Sequence, residues 1–341
     1  MSFSKIKHRI KEFGRNIVSD GVERYFDKNR LFWSDRSSTQ SIDAKLLAKF
    51  QTLSLYLSRR LENIADVQLL YEVLSLRLFN VPLPRMGEYM AFAQKVEAYK
   101  HPSPPHEPKN AIQWTRYFDF MDFEELKLPI RSFTYTSSAK IFFSHQYRHP
   151  QVHIKKGDHV LDAGALFGDT SLWFSTQAGK EGHIYSFEIV PQFVERIKEN
   201  LTLNTHIAGN ISVHKYALWD KSGEHLSFVQ DGGRSHVDNH KNRESETKAT
   251  TITIDDFIEE NNVQRIDFVK MDIEGAELKA LVGAKKTLQR FKPKLAICLY
   301  HRNEDFVDIP MFLDSFCPWY KFYLGHHTDF ASETVLYACV D

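Results

Sequence analysis

Ionisable side chains sit at or just past the ends of four short apolar runs: Asp162 in "HVLDAG", Glu188 in "HIYSFEI", Asp272 and Glu274 in "DFVKMDIEG", and His301 in "KLAICLYH". Carboxylates and an imidazole can hold a cationic or hydroxyl-bearing ligand, or move a proton, once a fold gathers them. Taken singly, each of these acids reads equally well as a helix cap or a surface charge. Their recurrence at the ends of successive runs is what suggests a common crevice.

The segment between the first two runs narrows the ligand. "VLDAGALFGDTSLWF" is a strand, a glycine-bearing turn and a helix start, a common cradle for nucleotides. A dinucleotide fingerprint needs G-x-G-x-x-G directly after the strand. Here Gly164 and Gly168 stand four apart without the glycine pair, and no GKS or GKT marks a P-loop. Asp162 would oppose a phosphate but could pair with a cationic ligand, so the turn favours S-adenosylmethionine over NAD. Glu188, at the end of the second strand, suits both hydroxyls of a ribose and fits either nucleoside.

The elements that must position these residues form two regions. Residues 1–150 read as mainly helical, with Phe3, Ile6, Ile10, Phe13 and Ile17 at helical spacing among basic residues. That pattern suits a helix packed on its own domain, or one docked on a membrane surface or partner. Residues 43–79 predict a long helix or a helical pair, and "HPSPPHEPKN" at 101–110 a break or exposed loop. From residue 151 to 341 short strands alternate with helices: "HVLDAG", "HIYSFEI", "ISVHKYAL", "DFVKMDI" and "KLAICLYH". The alternation predicts an α/β fold with a parallel sheet between helical layers. A helix at "NEDFVDIPMFLDSF" and a hairpin of "YKFYLGHH" with "TVLYACV" complete it, adding an antiparallel strand.

At "VKMDIEGAELKALVGA" the sequence resembles the FkbM family of S-adenosylmethionine-dependent methyltransferases. The resemblance covers roughly residues 150–341. It rests on "VLDAGALFGDTSLWF", "YSFEIVPQFVERIKENLTLN", "YALWDKSGE", "TITIDDFIEENNVQRIDFVKMDIEGAEL" and "ETVLYACV", in that order. The most specific part is the D-x-E-G-x-E run of Asp272, Glu274, Gly275 and Glu277. The resemblance implies a Rossmann-like, seven-stranded class I methyltransferase sheet, S-adenosyl-L-methionine as cofactor, and methylation of a hydroxyl oxygen. It places Asp162, Gly164, Ala165, Phe167 and Gly168 at the methionine portion and turn, with Asp169 and Thr170 beside them. It assigns Glu188 to the ribose, Tyr216, Ala217 and Leu218 to the adenine, and Asp272 to the donor. Phe167 and Asp169, around Gly168, are a departure from the usual pattern, and Asp169, as an acid at a helix start, reads as a cap as well.

An alcohol must lose its proton as it is methylated, so a base within reach assists. His301 is expected as that base, with Asp272 orienting donor or acceptor and Glu274 polarising or binding the hydroxyl. Metal assistance is the rival route. Asp272, Glu274 and His301 could hold magnesium or manganese, and "HVDNH" offers His236, Asp238 and His240, but a mobile loop closing over the acceptor is the favoured use of that polar segment. No metal site is expected. His326 and His327 are further candidates facing the acceptor, and Tyr147 and His145, before the first strand, are candidates near the cofactor.

Composition excludes several classes. The 44 basic and 44 acidic residues cancel, leaving no overall field for nucleic acid. No apolar run reaches the ~18 residues of a membrane span, and no apolar signal region follows the basic N-terminus. Cys298, Cys317 and Cys339 are scattered and suit a reducing compartment, so a cytoplasmic protein is expected. The expected activity is O-methylation of a sugar, glycan or secondary metabolite, with residues 1–150 as a cap, substrate-binding or dimer-forming region. A catalytically silent S-adenosylmethionine-binding module is the alternative, and an NAD-dependent oxidoreductase is disfavoured.

Overall fold

The computed structural model describes residues 44–81, 83, 119–123, 127–132, 141–229, 236–237, 247–328 and 330–341. The basic stretch at 3–17, the proline-rich 101–110, and Asp238 and His240 lie outside the described residues.

Residues 43–79 resolve into a helical pair, α1 (Ala44–Ser58) and α2 (Ile64–Phe79). Asn63 starts α2 by accepting the Asp66 N–H at 2.8 Å, and Asn80 ends it in the left-handed conformation. Next comes an antiparallel hairpin, β1 (Asp119–Phe123) and β2 (Leu128–Ser132), within the region read as mainly helical. Its period-two pattern, apolar side chains buried at Leu128 and Ile130, is the strand signal that the helical reading passed over.

From residue 159 strands and helices alternate as expected. β3 (His159–Ala163), α3 (Asp169–Ala178), β4 (His183–Phe187), α4 (Pro191–Leu203) and β5 (Ile211–His214) build one half. A second sheet then intervenes: β6 (Ala217–Leu218), β7 (His225–Val229), β8 (His236–Val237) and β9 (Thr247–Ile252). "ISVHKYAL" is therefore two strands, with Ala217 and Leu218 leaving the central sheet to pair with Thr251 and Ile252. The chain returns through α5 (Ile254–Glu260), β10 (Phe268–Met271), α6 (Glu277–Val282), α7 (Lys285–Phe291), β11 (Lys294–Cys298), α8 (Asp305–Phe316), β12 (Lys321–His326) and β13 (Thr334–Cys339).

The central sheet has seven strands in the order β5-β4-β3-β10-β11-β13-β12. Only β13 runs antiparallel to its neighbours, because the terminal hairpin forces it to. After β5 the chain crosses back to place β10 on the other side of β3. That reversal makes the crevice beyond the C-terminal ends of β3 and β10 the ligand position for such a sheet.

The helical pair shares its core with the sheet. Leu57, Leu70, Val73 and Leu74 are fully buried with Ile297, Leu313, Phe322 and Leu336. It also covers the edge strand β12, since Asp66 accepts the Leu324 N–H at 2.9 Å and Glu62 donates to the Phe322 carbonyl. The β1–β2 hairpin is held by α4: Asn200 exchanges two hydrogen bonds with the Arg131 backbone, and Asn204 donates to the Pro129 carbonyl. No described helix is long and apolar enough to cross a membrane.

Candidate active site

β3 and β10 are buried parallel strands, yet each carries a charge. Asp162 and Lys270 are register partners, almost fully buried, with Nζ 3.2 Å from Oδ1. Burial opposes the Lys270 charge, but Asp162 and Asp272 outweigh it and hold the ammonium pKa above its ordinary value. The other oxygen of Asp162 accepts from the hydroxyls of Thr170 and Ser171, both at 2.6 Å. Asp162 thus faces Lys270 and the start of α3, not a ligand; its charge is met within the protein because the strand aims it inward.

Lys270 reaches past Asp162 to donate to the carbonyls of Ala163, at 3.1 Å, and Gly164, at 2.6 Å, fixing the turn after β3. Gly164 has φ +80°, and a Cβ there would lie 1.9 Å from the Asp272 carbonyl oxygen. Only glycine lets the two strand ends approach so closely. The N–H groups of Gly164 and Ala165 go to the Phe187 carbonyl, that of Leu166 to Glu188, and that of Gly168 to Ala165. Few donors therefore remain for a phosphate, and Asp169 adds an acid at the helix start.

The remaining turn residues divide between packing and capping. Phe167 is buried edge-on against Phe193 at 5.0 Å, and Asn200 holds its carbonyl. Gly168 (φ +80°) begins α3, and the Asp169 carboxylate accepts the Thr170 N–H at 3.0 Å. Glu188 is held by three N–H groups: Ile189 and Val190 on Oε1, Leu166 on Oε2. Burial pushes its carboxyl up to about 7 against those bonds and Lys270. One acceptor direction on Oε2 stays available to a ligand hydroxyl. Among the residues expected at the adenine, Ala217 and Leu218 are buried and Tyr216 is exposed.

Beyond β10 the D-x-E-G-x-E run makes a tight turn. Glu274 (φ +54°) and Gly275 (φ +91°) are both left-handed, which reverses the chain and starts α6 at Glu277. Glu277 is fully buried, and its Oε1 accepts the Ile273 N–H at 2.8 Å. His301, three residues past β11, lies over this turn. Its Nδ1 is 2.9 Å from Glu277 Oε1, and its Nε2 is 3.3 Å from Asp272 and 3.5 Å from Glu274. The structure thus brings Asp272, Glu274 and His301 together.

The electrostatics alter the role expected of His301. Burial alone would lower its pKa, but Glu277, then Asp272 and Glu274, outweigh it and raise it to about 10. Near neutrality the ring is an imidazolium, which is no base; the expectation failed to count Glu277. Glu274 is pushed up to about 8, chiefly by burial, with His301 opposing and the other carboxylates adding to the rise. Burial also acts to raise Asp272, but Lys270, His301 and two tyrosines hold it below the ordinary range. Those tyrosines are Tyr300 on Oδ1 and Tyr147 on Oδ2, both at 2.8 Å.

Of the outlying candidates, Tyr147 joins the site. His145 stacks on Trp173, and His326 and His327 are hydrogen-bonded to Thr334 and Tyr337 within the terminal hairpin. Lys270, Glu277 and Tyr300 were given no role from sequence, although a lysine inside the apolar "FVKM" and the last acid of D-x-E-G-x-E were visible signals. Arg77 of α2 was hidden altogether. It donates to the Tyr300 carbonyl at 2.9 Å, to Asn303, and to the Ala331 carbonyl, so the helical pair fixes the backbone beside His301.

This strand order, with an acid-lined crevice at the reversal, defines a Rossmann-like class I methyltransferase fold. Residues 162–321 match the methyltransferase FkbM domain. The crystal structure of methyltransferase FkbM from Methylobacillus flagellatus shares the fold, with a TM-score of 0.53 and 23% identity over 86% of this chain and 59% of that one. The hexuronic acid methyltransferase AglP of Haloferax volcanii is 27% identical over 135 residues, 40% of this chain. The matched part is 53% of that relative, so the chain spans about half the length of the curated protein it resembles.

Proposed function

We propose that the chain is an S-adenosylmethionine-dependent O-methyltransferase acting on a hydroxyl of a sugar, glycan or secondary metabolite. The observation that carries this reading is the grouping of Asp272, Glu274 and His301 at the sheet reversal, beside the Gly164 turn and the remaining acceptor of Glu188. An acid-lined crevice whose turn spends its N–H groups internally suits a cationic, phosphate-free cofactor. When bound, S-adenosylmethionine would supply an electrophilic methyl carbon that bonds to the acceptor oxygen as its bond to sulfur breaks.

The chain's own residues supply position and proton transfer. Glu188 accepts from the ribose, its carboxylate fixed by three N–H donors. Asp272, clamped by Tyr147 and Tyr300, presents a fixed negative charge beside the Gly164 turn. Glu274, whose side chain is 29% exposed against 7% for His301, is the group open to the acceptor, and in its ionised form, which prevails above about pH 8, it takes the hydroxyl proton. In the metal-free protein His301, as imidazolium, holds the three carboxylates in place. The similarity to a hexuronic acid methyltransferase supports a carbohydrate acceptor.

Incubation with methyl-labelled S-adenosylmethionine and a panel of sugars and metabolites tests this reading. Release of S-adenosylhomocysteine with label on an oxygen supports it. Tight cofactor binding without transfer to any member identifies a silent binding module instead, and label on nitrogen refutes the O-methyl assignment.

A further inference from the structure

Among the described residues, the carboxylates of Asp272 and Glu277 and the imidazole of His301 each offer one ligand atom, all within 4.8 Å of one another. Ligands opposed across a metal ion with bonds of about 2.0–2.2 Å stand about 4.4 Å apart at most, so small side-chain adjustments would close the set. The cluster is also unfinished in its hydrogen bonding. Glu277 Oε2 is a buried atom with no hydrogen-bond partner, and the ring nitrogens of His301 meet only carboxylate oxygens, at 2.9–3.5 Å. Buried polar atoms are rarely left in that condition. The Glu277 side chain is wholly enclosed and that of His301 only 7% exposed, so solvent does not satisfy them. The Ile273 N–H occupies Glu277 Oε1 and leaves Oε2 as the free oxygen.

We propose that Asp272, Glu277 and His301 form a binding site for one divalent first-row metal ion, which displaces one ring proton of His301 as it binds. Two carboxylates with a third, Glu274, alongside balance a dipositive charge, and the imidazole favours manganese- or zinc-like ions over calcium. Three protein ligands leave a coordination position open, as catalytic sites do. The purpose assigned to the ion rests on the methyltransferase reading: an acceptor hydroxyl in the open position is acidified, and its proton passes to Glu274. The binding site itself rests only on the ligands. The D-x-E-G-x-E turn then has a physical reason for its last acid, which Gly275 and the left-handed Glu274 fold back beneath the histidine.

The test uses the full chain, freed of metal with EDTA and titrated with Mn2+ alone, free Mn2+ being read by electron paramagnetic resonance. One Mn2+ per chain is expected in the micromolar range, displaced by Zn2+. Glu277→Gln and His301→Ala should each weaken binding at least tenfold. Glu277 is wholly buried, so the partly exposed Asp272→Asn serves as a further variant, each checked for folding by circular dichroism. Absence of stoichiometric Mn2+ binding, or unchanged affinity in the folded His301→Ala and Asp272→Asn proteins, overturns the proposal and leaves an ion-pair network. A separate S-adenosylmethionine titration keeps the two readings apart. Cofactor without metal sinks the metal site alone, and metal without cofactor sinks the methyltransferase reading alone.

Discussion

Gly164 is where the fold and the site depend on one atom, and Gly164→Ala tests that dependence against a matched control. Gly164 and Gly157 have nearly equal φ, +80° and +83°, but a Cβ at 157 meets nothing within 4 Å, whereas at 164 it falls 1.9 Å from the Asp272 carbonyl oxygen. Cβ atoms essentially never come within 3.0 Å of such an atom, so the ends of β3 and β10 must part by more than 1 Å. Both variants bear the left-handed penalty of about 1–2 kcal/mol. Gly164→Ala adds about 1–3 kcal/mol of overpacking. It also strains the Asp272 N–H to Ala163 carbonyl bond, now 3.1 Å, a loss of about 1 kcal/mol. The difference between the variants is then about 2–4 kcal/mol, or roughly 4–16 °C in Tm for a domain of this size. Thermal unfolding followed by circular dichroism measures it, and calorimetry should show at least tenfold weaker S-adenosylmethionine binding for Gly164→Ala alone. Equal Tm values, with equal cofactor affinity, would refute the close-approach argument.

Lys270→Met should cost about 3–5 kcal/mol in denaturant unfolding, because it leaves the Asp162 charge buried and unpaired; the Asp162→Asn, Lys270→Met double variant should lose less, and a double variant no better than Lys270→Met contradicts the ion-pair account. Arg77→Met removes donors to the carbonyls of Tyr300 and Ala331 and should cost about 2–4 kcal/mol. It should also lower kcat several-fold while cofactor Kd changes less than twofold; equal losses in both would mean that Arg77 acts on overall stability alone. Glu188 has a raised pKa of about 7, and its ionised form is the one proposed to accept a ribose hydroxyl. Protonation as pH falls should therefore weaken cofactor binding, by about tenfold between pH 8 and pH 6. A flat affinity profile over that range argues against Glu188 at the ribose.

The central sheet was legible because parallel strands covered on both faces are short apolar runs, bounded by polar residues. β3, β4, β10 and β11 lie within the runs read from sequence, and the terminal hairpin forms as expected. The second sheet was not legible. β6 is two residues long, and β9, "TKATTI", has four polar residues among its six, so neither carries a periodicity that separates it from a loop. Its pairing is fixed by tertiary contacts, such as the Gly223 and Thr251 backbone bonds, that no local pattern encodes.

The site divides along the same line between position and environment. Strand-end position placed Asp272, Glu274 and His301 together, because register in a parallel sheet is a short-range property of neighbouring strands. Environment was beyond reach: whether His301 gives or takes a proton depends on Glu277, which arrives through two successive left-handed residues. Asp162 was read as facing a ligand because its counter-charge, Lys270, lies 108 positions away, in register only once β10 has crossed to the far side of β3. The T-I-D-D element shows the converse. Thr253 caps α5 by accepting the Asp256 N–H, and Asp255 accepts the N–H groups of Lys286 and Thr287 at the start of α7. That part of the pattern is accounted for by folding alone, since α5 and α7 flank β10 in sequence and so fix where its C-terminal end emerges. The D-x-E-G-x-E run differs. Gly275 and the left-handed Glu274 make a turn that a simpler loop could replace, and what they secure is a buried carboxylate against His301. A motif whose residues fold the chain should therefore tolerate any substitution that preserves the caps, whereas Glu277 should tolerate only a side chain that keeps an anionic oxygen beside that ring.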